Sequence, residues 1–371
     1  MKFFLPIVCI LLSTVSFGQL NQDFLTLNQQ EREFYEFIPS NYSNTEAAPL
    51  IIVLHGIGGY ASDYATYGLN DIADTARFIP VYLQGTNNAF NQPSWNNGVA
   101  FGNSTSDDLL FISSIIDSMH AKYNINRRRV YLTGISMGAI MSFKAIRHLS
   151  DEIAATVCHI GTMSDEDIIG SNPTYPVPTM QVHGTLDNIV PYSSSPLASL
   201  SLVPTTINKL KTLNGWNGAD STIIDIPNTV ADGIMIERII YDCTTPLEHW
   251  KMNGAQHIVL FANTNDTSGM VITWNFLRQF THTNTSLSIQ DQNQEHILKP
   301  LVYPNPSAGQ LNIENIEQET LIQIYNLNQQ LIVEQIFNSQ SIDISLLPSG
   351  LYVLKLSTKS GQAYSQLITK E

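Results

Sequence analysis

The sequence predicts an α/β protein: a doubly wound, mostly parallel sheet with helices on both faces, followed by a small all-β sandwich. Three observations predict it. Short, wholly apolar runs alternate with longer amphipathic ones across residues 33–280, and strands without polar alternation belong to a sheet covered on both sides. One such run ends in Gly134-Ile135-Ser136-Met137-Gly138, small residues set between a strand pattern and a helix pattern. Beyond Lys299 the period falls to two, with turn residues between short strands.

In chain order, residues 1–18 come first as a processing signal. Lys2 gives a positive start, residues 3–15 an apolar core, and Ser16-Phe17-Gly18 a small-x-small cleavage site. The apolar core is too short to remain as a membrane anchor. Residues 50–54 form an apolar strand that stops at His55-Gly56, and residues 79–83 form the next, stopping at Gln84-Gly85. Residues 105–123 read as a helix: Leu109, Ile112, Ile116 and Met119 fall at 3-4-3 spacing, with Asp107 and Asp108 in the first turn where the macrodipole favours them. The strand before Gly134 follows, then a helix to about Leu149. Strands are predicted over 153–160, 178–183, 234–243 and 247–252, and helices over 205–214 and 270–280. The first of these helices ends at Gly215, a natural C′ residue. The chain thus divides into an α/β domain over 19–280, a polar linker over 281–298 and a β module over 299–371. Strands in the last are predicted at 310–314, 321–325, 330–335, 341–344, 352–357 and 364–369.

A formal charge of −14 argues against nucleic acid and acidic membrane surfaces as partners. Charged residues make up only 13% of the chain, so the sign reflects scarce lysine rather than acidic tracts. Cys9 leaves with the signal, and Cys158 and Cys243 fall on separate strand patterns. Two buried thiols are expected there, with a disulfide as the alternative. No Cys/His cluster has metal-ligand spacing, and the G-x-x-x-x-G-K phosphate loop is missing.

The pentapeptide at Ser136 fits a nucleophile elbow. A Ser hydroxyl reacts only when it stands clear of its backbone beside a base, and a sharp strand-to-helix turn flanked by near side-chain-free residues provides that. In a doubly wound sheet the partners gather at the carboxyl ends of other strands. Asp187 lies on the loop after the 178–183 strand, placed to orient an imidazole. His257 follows the 247–252 strand and a Gly-containing loop. The order Ser136, Asp187, His257 is nucleophile, acid, base. His249 is a competitor for the base, but it falls inside its strand. His120 and His148 sit on helices, His159 and His183 end strands where a structural hydrogen bond suffices, and His282 and His296 belong to the linker. The oxyanion needs two donors. The amide of Met137 is one, and the amide of Ile57, in the Gly-rich exit His55-Gly56-Ile57-Gly58-Gly59, is the other.

Several segments, in order, resemble the polyhydroxybutyrate depolymerase and feruloyl esterase family of secreted α/β-hydrolases. These are residues 50–59; Tyr82-Leu-Gln-Gly-Thr-Asn with Ser94-Trp95-Asn96; Ser106-Asp-Asp-Leu-Leu-Phe-Ile; and Tyr123-Asn-Ile-Asn-Arg-Arg-Arg-Val-Tyr-Leu-Thr-Gly-Ile-Ser-Met-Gly. The last is His183-Gly-Thr-Leu-Asp-Asn-Ile-Val-Pro-Tyr. The similarity spans residues 30–280. It implies Ser136 as nucleophile, His257 as base and Asp187 as its orienter, with no cofactor and no metal. Trp95 and His55 are candidates for the substrate side, a core or lid place being the alternative for Trp95. Two positions depart from the family: Ala139 stands where a second Gly is common, and His257 is followed by Ile-Val-Leu rather than Trp-Pro.

In the tail, Val302-Tyr-Pro-Asn-Pro-Ser-Ala-Gly309 and Leu347-Pro-Ser-Gly-Leu-Tyr352 resemble the C-terminal sorting domain of the type IX secretion system. That resemblance implies passage through the periplasm to the cell surface or medium, with the secretion machinery as partner. The expectation is a secreted serine esterase. Its ester is feruloyl or acetyl on plant polysaccharide, or a polyhydroxyalkanoate-type polyester. A serine peptidase on the same fold, or an inactive surface-binding protein, is the alternative.

Overall fold

The structure is a computed structural model. It describes residues 18–371 except 101, 195–196, 261–264, 285–286, 288–300, 304–306, 315–319, 327–329, 338–340 and 359–362. The predicted processing signal (Gly18 aside), His296 and most of the predicted linker therefore lie outside the described residues. The chain divides between residues 291 and 292 into two compact units.

The first unit opens on a hairpin, β1 (Gln19–Leu27) and β2 (Gln30–Ile38). Its turn residues Asn28 and Gln29 both have positive φ, 49° and 65°, the twist a two-residue hairpin turn requires. The sequence pattern starts only at Glu33, because β1 alternates between exposed and half-buried and carries little apolar signal. Then come β3 (Ala48–Leu54), α1 (Ala61–Tyr64), α2 (Leu69–Ala76) and β4 (Ile79–Leu83). A small ribbon of β5 (Thr86–Asn87) and β6 (Pro93–Ser94) precedes α3 (Asp108–Lys122). Asp107 caps α3, accepting from the Leu110 amide at 3.0 Å. Asp108 is not the solvated first-turn charge its position suggests. It is 1% exposed and paired with Arg32 at 2.6 Å, and its other oxygen accepts from the Asn96 amide at 2.6 Å.

The sequence-predicted β-α alternation continues through β7 (Ile125–Ile135), α4 (Met137–His148), β8 (Ala155–His159), α5 (Asp165–Ile169) and β9 (Thr179–Gly184). Helix α6 (Val203–Leu213) has Pro in its first turn and Gly215 just past its end at φ 71°. Three strands and a helix close the unit: β10 (Thr222–Asp225), β11 (Met235–Tyr241), β12 (Leu247–Asn253) and α7 (Gly269–Leu277).

These strands make one ten-stranded sheet, ordered β1-β2-β4-β3-β7-β8-β9-β12-β11-β10. The central six, β4 to β12, are mutually parallel. Two antiparallel strands flank them at each edge. Every residue of β3 is buried, and its side chains divide between two cores. Leu50, Ile52 and Leu54 pack with α3, α4 and α6, while Ile51 and Val53 pack with α2 and α7. That division is the doubly wound arrangement expected of continuously apolar strands. Register aligns the strand ends: Gly134 lies opposite Leu54 and Cys158, Ile135 opposite His159, and His183 opposite Lys251. The carboxyl ends of neighbouring strands therefore share one rim.

Two expectations are corrected. The polar stretch predicted to leave the domain at Thr281 is still docked, because the His282 amide donates to Arg128 O at 2.8 Å and its ring bonds Ser150 O at 2.7 Å. Both cysteines are free thiols; Cys158 is buried, whereas Cys243 is partly exposed.

The second unit contains β13 (Leu301–Tyr303), β14 (Gln310–Glu314), β15 (Leu321–Asn326), β16 (Leu331–Ile336), β17 (Ser341–Asp343), β18 (Gly350–Ser357) and β19 (Ala363–Lys370). They form two antiparallel sheets, β13-β14-β17 and β16-β15-β18-β19. One core between the sheets includes Leu311, Ile322, Ile324, Leu354 and Ile368, each fully buried. No helix among the described residues is long and apolar enough to cross a membrane.

Candidate active site

Ser136 joins β7 to α4 with φ 55° and ψ −117°. A non-glycine residue there carries strain of about 1–3 kcal/mol that its surroundings must hold. The Ser136 amide donates to His159 O at 2.8 Å, and the Ala139 and Ile140 amides donate to Ser136 O at 2.9 and 3.1 Å. The glycines on either side are set by close approach: a Cβ on Gly134 would collide with the Gly138 carbonyl, and one on Gly138 with the Leu54 carbonyl. Gly161, which sequence reading did not single out, is a third; its Cβ would come within 2.7 Å of Ser136 O.

From the end of β9, the acid loop turns so that Asp187 Oδ1 accepts from the Ile189 and Val190 amides, at 2.9 and 2.8 Å. Gly184 has no room for a side chain, because the backbone of Ala255 and Gln256 lies against it. The Leu186 amide donates to Ala255 O at 2.9 Å. The acid loop and the loop after β12 are thus laced main chain to main chain. That lacing delivers His257: its Nδ1 is 2.7 Å from Asp187 Oδ2 and its Nε2 is 3.0 Å from Ser136 Oγ. A carboxylate can only accept, so Nδ1 carries the proton and Nε2 is left to accept from the hydroxyl. Burial works to raise the Asp187 pKa. Hydrogen bonds from His183, His257 and the Val190 amide outweigh it and hold the carboxyl well below its ordinary range.

Of the loop after β3, the Gly56 amide donates to Tyr64 Oη at 2.8 Å, the Gly58 amide to Pro93 O at 2.8 Å, and the Gly59 amide to Gly56 O at 3.0 Å. Ile57 is the remaining non-terminal amide, and none of the described hydrogen bonds uses it. The Met137 amide opens α4, where first-turn N–H groups lack intrahelical acceptors. A cavity of about 750 Å3 lies over Ser136 and His257. Ile57, Ile135, Ile160, Ile234, Ile258 and Val259 give it an apolar wall, and Asp232 and Asn265 are polar points on it.

Two candidates are not on that wall. Trp95 is fully buried, its indole N–H donating to His55 O at 2.7 Å with the two rings 4.8 Å apart. His55 is 1% exposed, its Nδ1 bonded to Gly56 O at 2.7 Å and its Nε2 accepting from the Gly85 amide at 2.9 Å. They form the floor beneath the loop carrying Ile57 rather than the substrate side. The competing imidazole, His249, is buried on β12, 2.8 Å from Tyr192 Oη and 3.2 Å from Gln181 O. Sequence reading missed Tyr64 and Tyr67, which stack at 4.8 Å and line the cavity. The one available signal was their spacing of three just past a Gly-rich strand exit.

Comparison with known proteins agrees with this architecture. Residues 40–215 match the Phospholipase/Carboxylesterase family, and residues 301–370 the Secretion system C-terminal sorting domain. A bifunctional acetylxylan esterase/xylanase of Neocallimastix patriciarum is 31% identical over 170 residues, 43% of this chain and 22% of that protein. Feruloyl esterase B of Piromyces equi is 32% identical over 163 residues, 42% of this chain and 29% of that one. Poly(3-hydroxyalkanoate) depolymerase C of Paucimonas lemoignei is 28% identical over 142 residues, 38% and 34% of the two chains. The chain therefore spans 22–34% of these relatives' lengths. An acetyl xylan esterase from Aspergillus awamori superposes with a TM-score of 0.52 at 14% identity, covering 70% of this chain and 99% of that structure. The chain carries an α/β-hydrolase fold whose residues 40–215 match the Phospholipase/Carboxylesterase family, followed by a C-terminal stretch, 301–370, that matches the secretion sorting domain.

Proposed function

We propose that the protein is a secreted serine esterase in which Ser136, His257 and Asp187 act as nucleophile, base and orienter. The observation that carries the reading is the row Ser136–His257–Asp187, hydrogen-bonded at 3.0 and 2.7 Å and opening on a largely apolar cavity. Ser136 Oγ attacks the ester carbonyl while its proton passes to His257 Nε2. The amides of Ile57 and Met137 receive the oxyanion, an arrangement in which each donor typically contributes about 2.7–4 kcal/mol to the barrier. The imidazolium, stabilised by Asp187, then protonates the departing alcohol. Water gives a proton to His257 and attacks the acyl group, and as the intermediate collapses and expels Ser136 Oγ, His257 returns the proton to it.

The names of the similar proteins favour feruloyl or acetyl esters of polysaccharide, or a hydroxyalkanoate polyester, as substrate. The sorting domain favours export by the type IX machinery to the cell surface or beyond. Ser136→Ala is expected to lower aryl-ester turnover by a factor on the order of 10⁶ with an unchanged melting temperature. Retained cleavage would overturn the reading. Running methyl ferulate, acetylated xylan, polyhydroxybutyrate and peptide amides side by side separates esterase from peptidase and orders the esters.

A further inference from the structure

The acid of the site is held by a second imidazole. His183, the penultimate residue of β9, is wholly buried. Its Nε2 lies 2.9 Å from Val190 O and 3.2 Å from Asp187 Oδ2. Its Nδ1 has no partner among the described residues. A proton on Nδ1 would therefore be a buried donor without an acceptor, a cost of about 1–3 kcal/mol in general. The proton therefore belongs on Nε2, which bonds the Val190 carbonyl at 2.9 Å and faces the carboxylate at 3.2 Å. Oδ2 then receives the His257 N–H and has His183 Nε2 3.2 Å away, while Oδ1 receives two backbone amides. Behind the ring, Tyr192 packs edge-on at 6.0 Å and is itself fixed by His249 at 2.8 Å.

We propose that His183 is a positioning residue for catalysis: its Nε2–H fixes the Asp187 carboxylate and moderates the pull of that carboxylate on the His257 proton. The proposal rests on the esterase reading of Ser136, Asp187 and His257. With the donor removed, Oδ2 directs more of its charge at the imidazolium, so His257 holds its proton to higher pH. Other titratable groups around the pair are Lys251, opposite His183 on β12 and paired with Glu237, together with His249, Tyr192 and Asp232. They are the same in both variants of the test, which isolates the donor.

The test compares His183→Phe, a ring without a donor, with His183→Gln, which keeps an N–H in reach. In the full-length chain the Phe variant is expected to lose about tenfold to hundredfold in kcat, the effect of one hydrogen bond to a charged group, with KM within about twofold. The acid limb of its kcat/KM profile moves to higher pH, and Gln restores most of both. A merely structural tie between β9 and the loop would leave the limb in place. An unmoved limb, unchanged kcat in the Phe variant, or no rescue by Gln overturns the proposal. Should the Phe variant not fold, or the parent not cleave esters, ¹⁵N-histidine spectra of the parent decide it. A neutral His183 ring protonated on Nε2 is the expected result, and protonation on Nδ1 contradicts it. An inactive parent defeats the esterase reading separately.

Discussion

At the residue scale, the site is legible where chemistry restricts the choice of side chain and illegible where packing does. Only glycine fits at 134 and 138, because carbonyl oxygens of Gly138 and Leu54 occupy the space a Cβ would need, and that restriction leaves a readable mark around Ser136. His257 was separable from His249 because one follows its strand and the other lies within it. Trp95 shows the limit. Its place beside Ser94 and Asn96 in sequence says nothing of which way the ring faces. The structure turns it inward, onto His55 O. Trp95→Phe is therefore expected to act on stability and not on binding. Losing the indole N–H and part of the packing should cost about 1–3 kcal/mol, read as a lower denaturation midpoint, with KM for aryl esters unchanged. A raised KM at full stability would return Trp95 to the substrate side. The two tyrosines of the cavity wall were missed because only the fold brings their contacts together: Tyr64 takes up the Gly56 amide and stacks on Tyr67 against the cavity.

At the element scale, the central strands were readable because burial on both faces leaves no polar residue in β3 or β4. The edge strands β1 and β10 were not, since β10 is exposed along its whole length and β1 is half-exposed. Helix α3 was read correctly as a helix, with Asp108 placed in its first turn, but the burial of that carboxylate was not foreseen. Nothing local announces its partner, Arg32, which lies 76 positions earlier on β2. This buried pair ties β2 to α3 and, through the Asn96 amide, to the loop that carries Trp95. Arg32 also lies over the Phe111 ring at 4.0 Å. Breaking such a pair from one side leaves an uncompensated buried charge and costs about 3–5 kcal/mol. Asp108→Ala should show that loss in urea unfolding, together with faster proteolysis near residues 96–104. An unchanged urea midpoint would contradict the role assigned to the pair.

For the whole molecule, a parallel sheet aligned in register is what lets residues 136, 187 and 257 meet, since β7, β9 and β12 all end along one rim. The same burial that builds the sheet sets a pH dependence. Burial pushes His55 and His159 down to about 4 and His249 to about 3. An unfolded imidazole protonates near 6.5, so below that pH the unfolded chain binds protons that the folded one refuses. Stability should be level above pH 6.5 and fall from there towards pH 4, each histidine contributing up to about 1.4 kcal/mol per pH unit. A melting temperature that stays flat between pH 6.5 and 4 would contradict the buried, neutral state of all three. The measurement that tests the central claim most directly is labelling of the folded chain with a fluorophosphonate, located by mass spectrometry of its peptides. The account predicts a single adduct on Ser136, formed fast in the parent and lost in His257→Ala. No adduct on the folded parent, or an adduct that forms equally fast without His257, would contradict it.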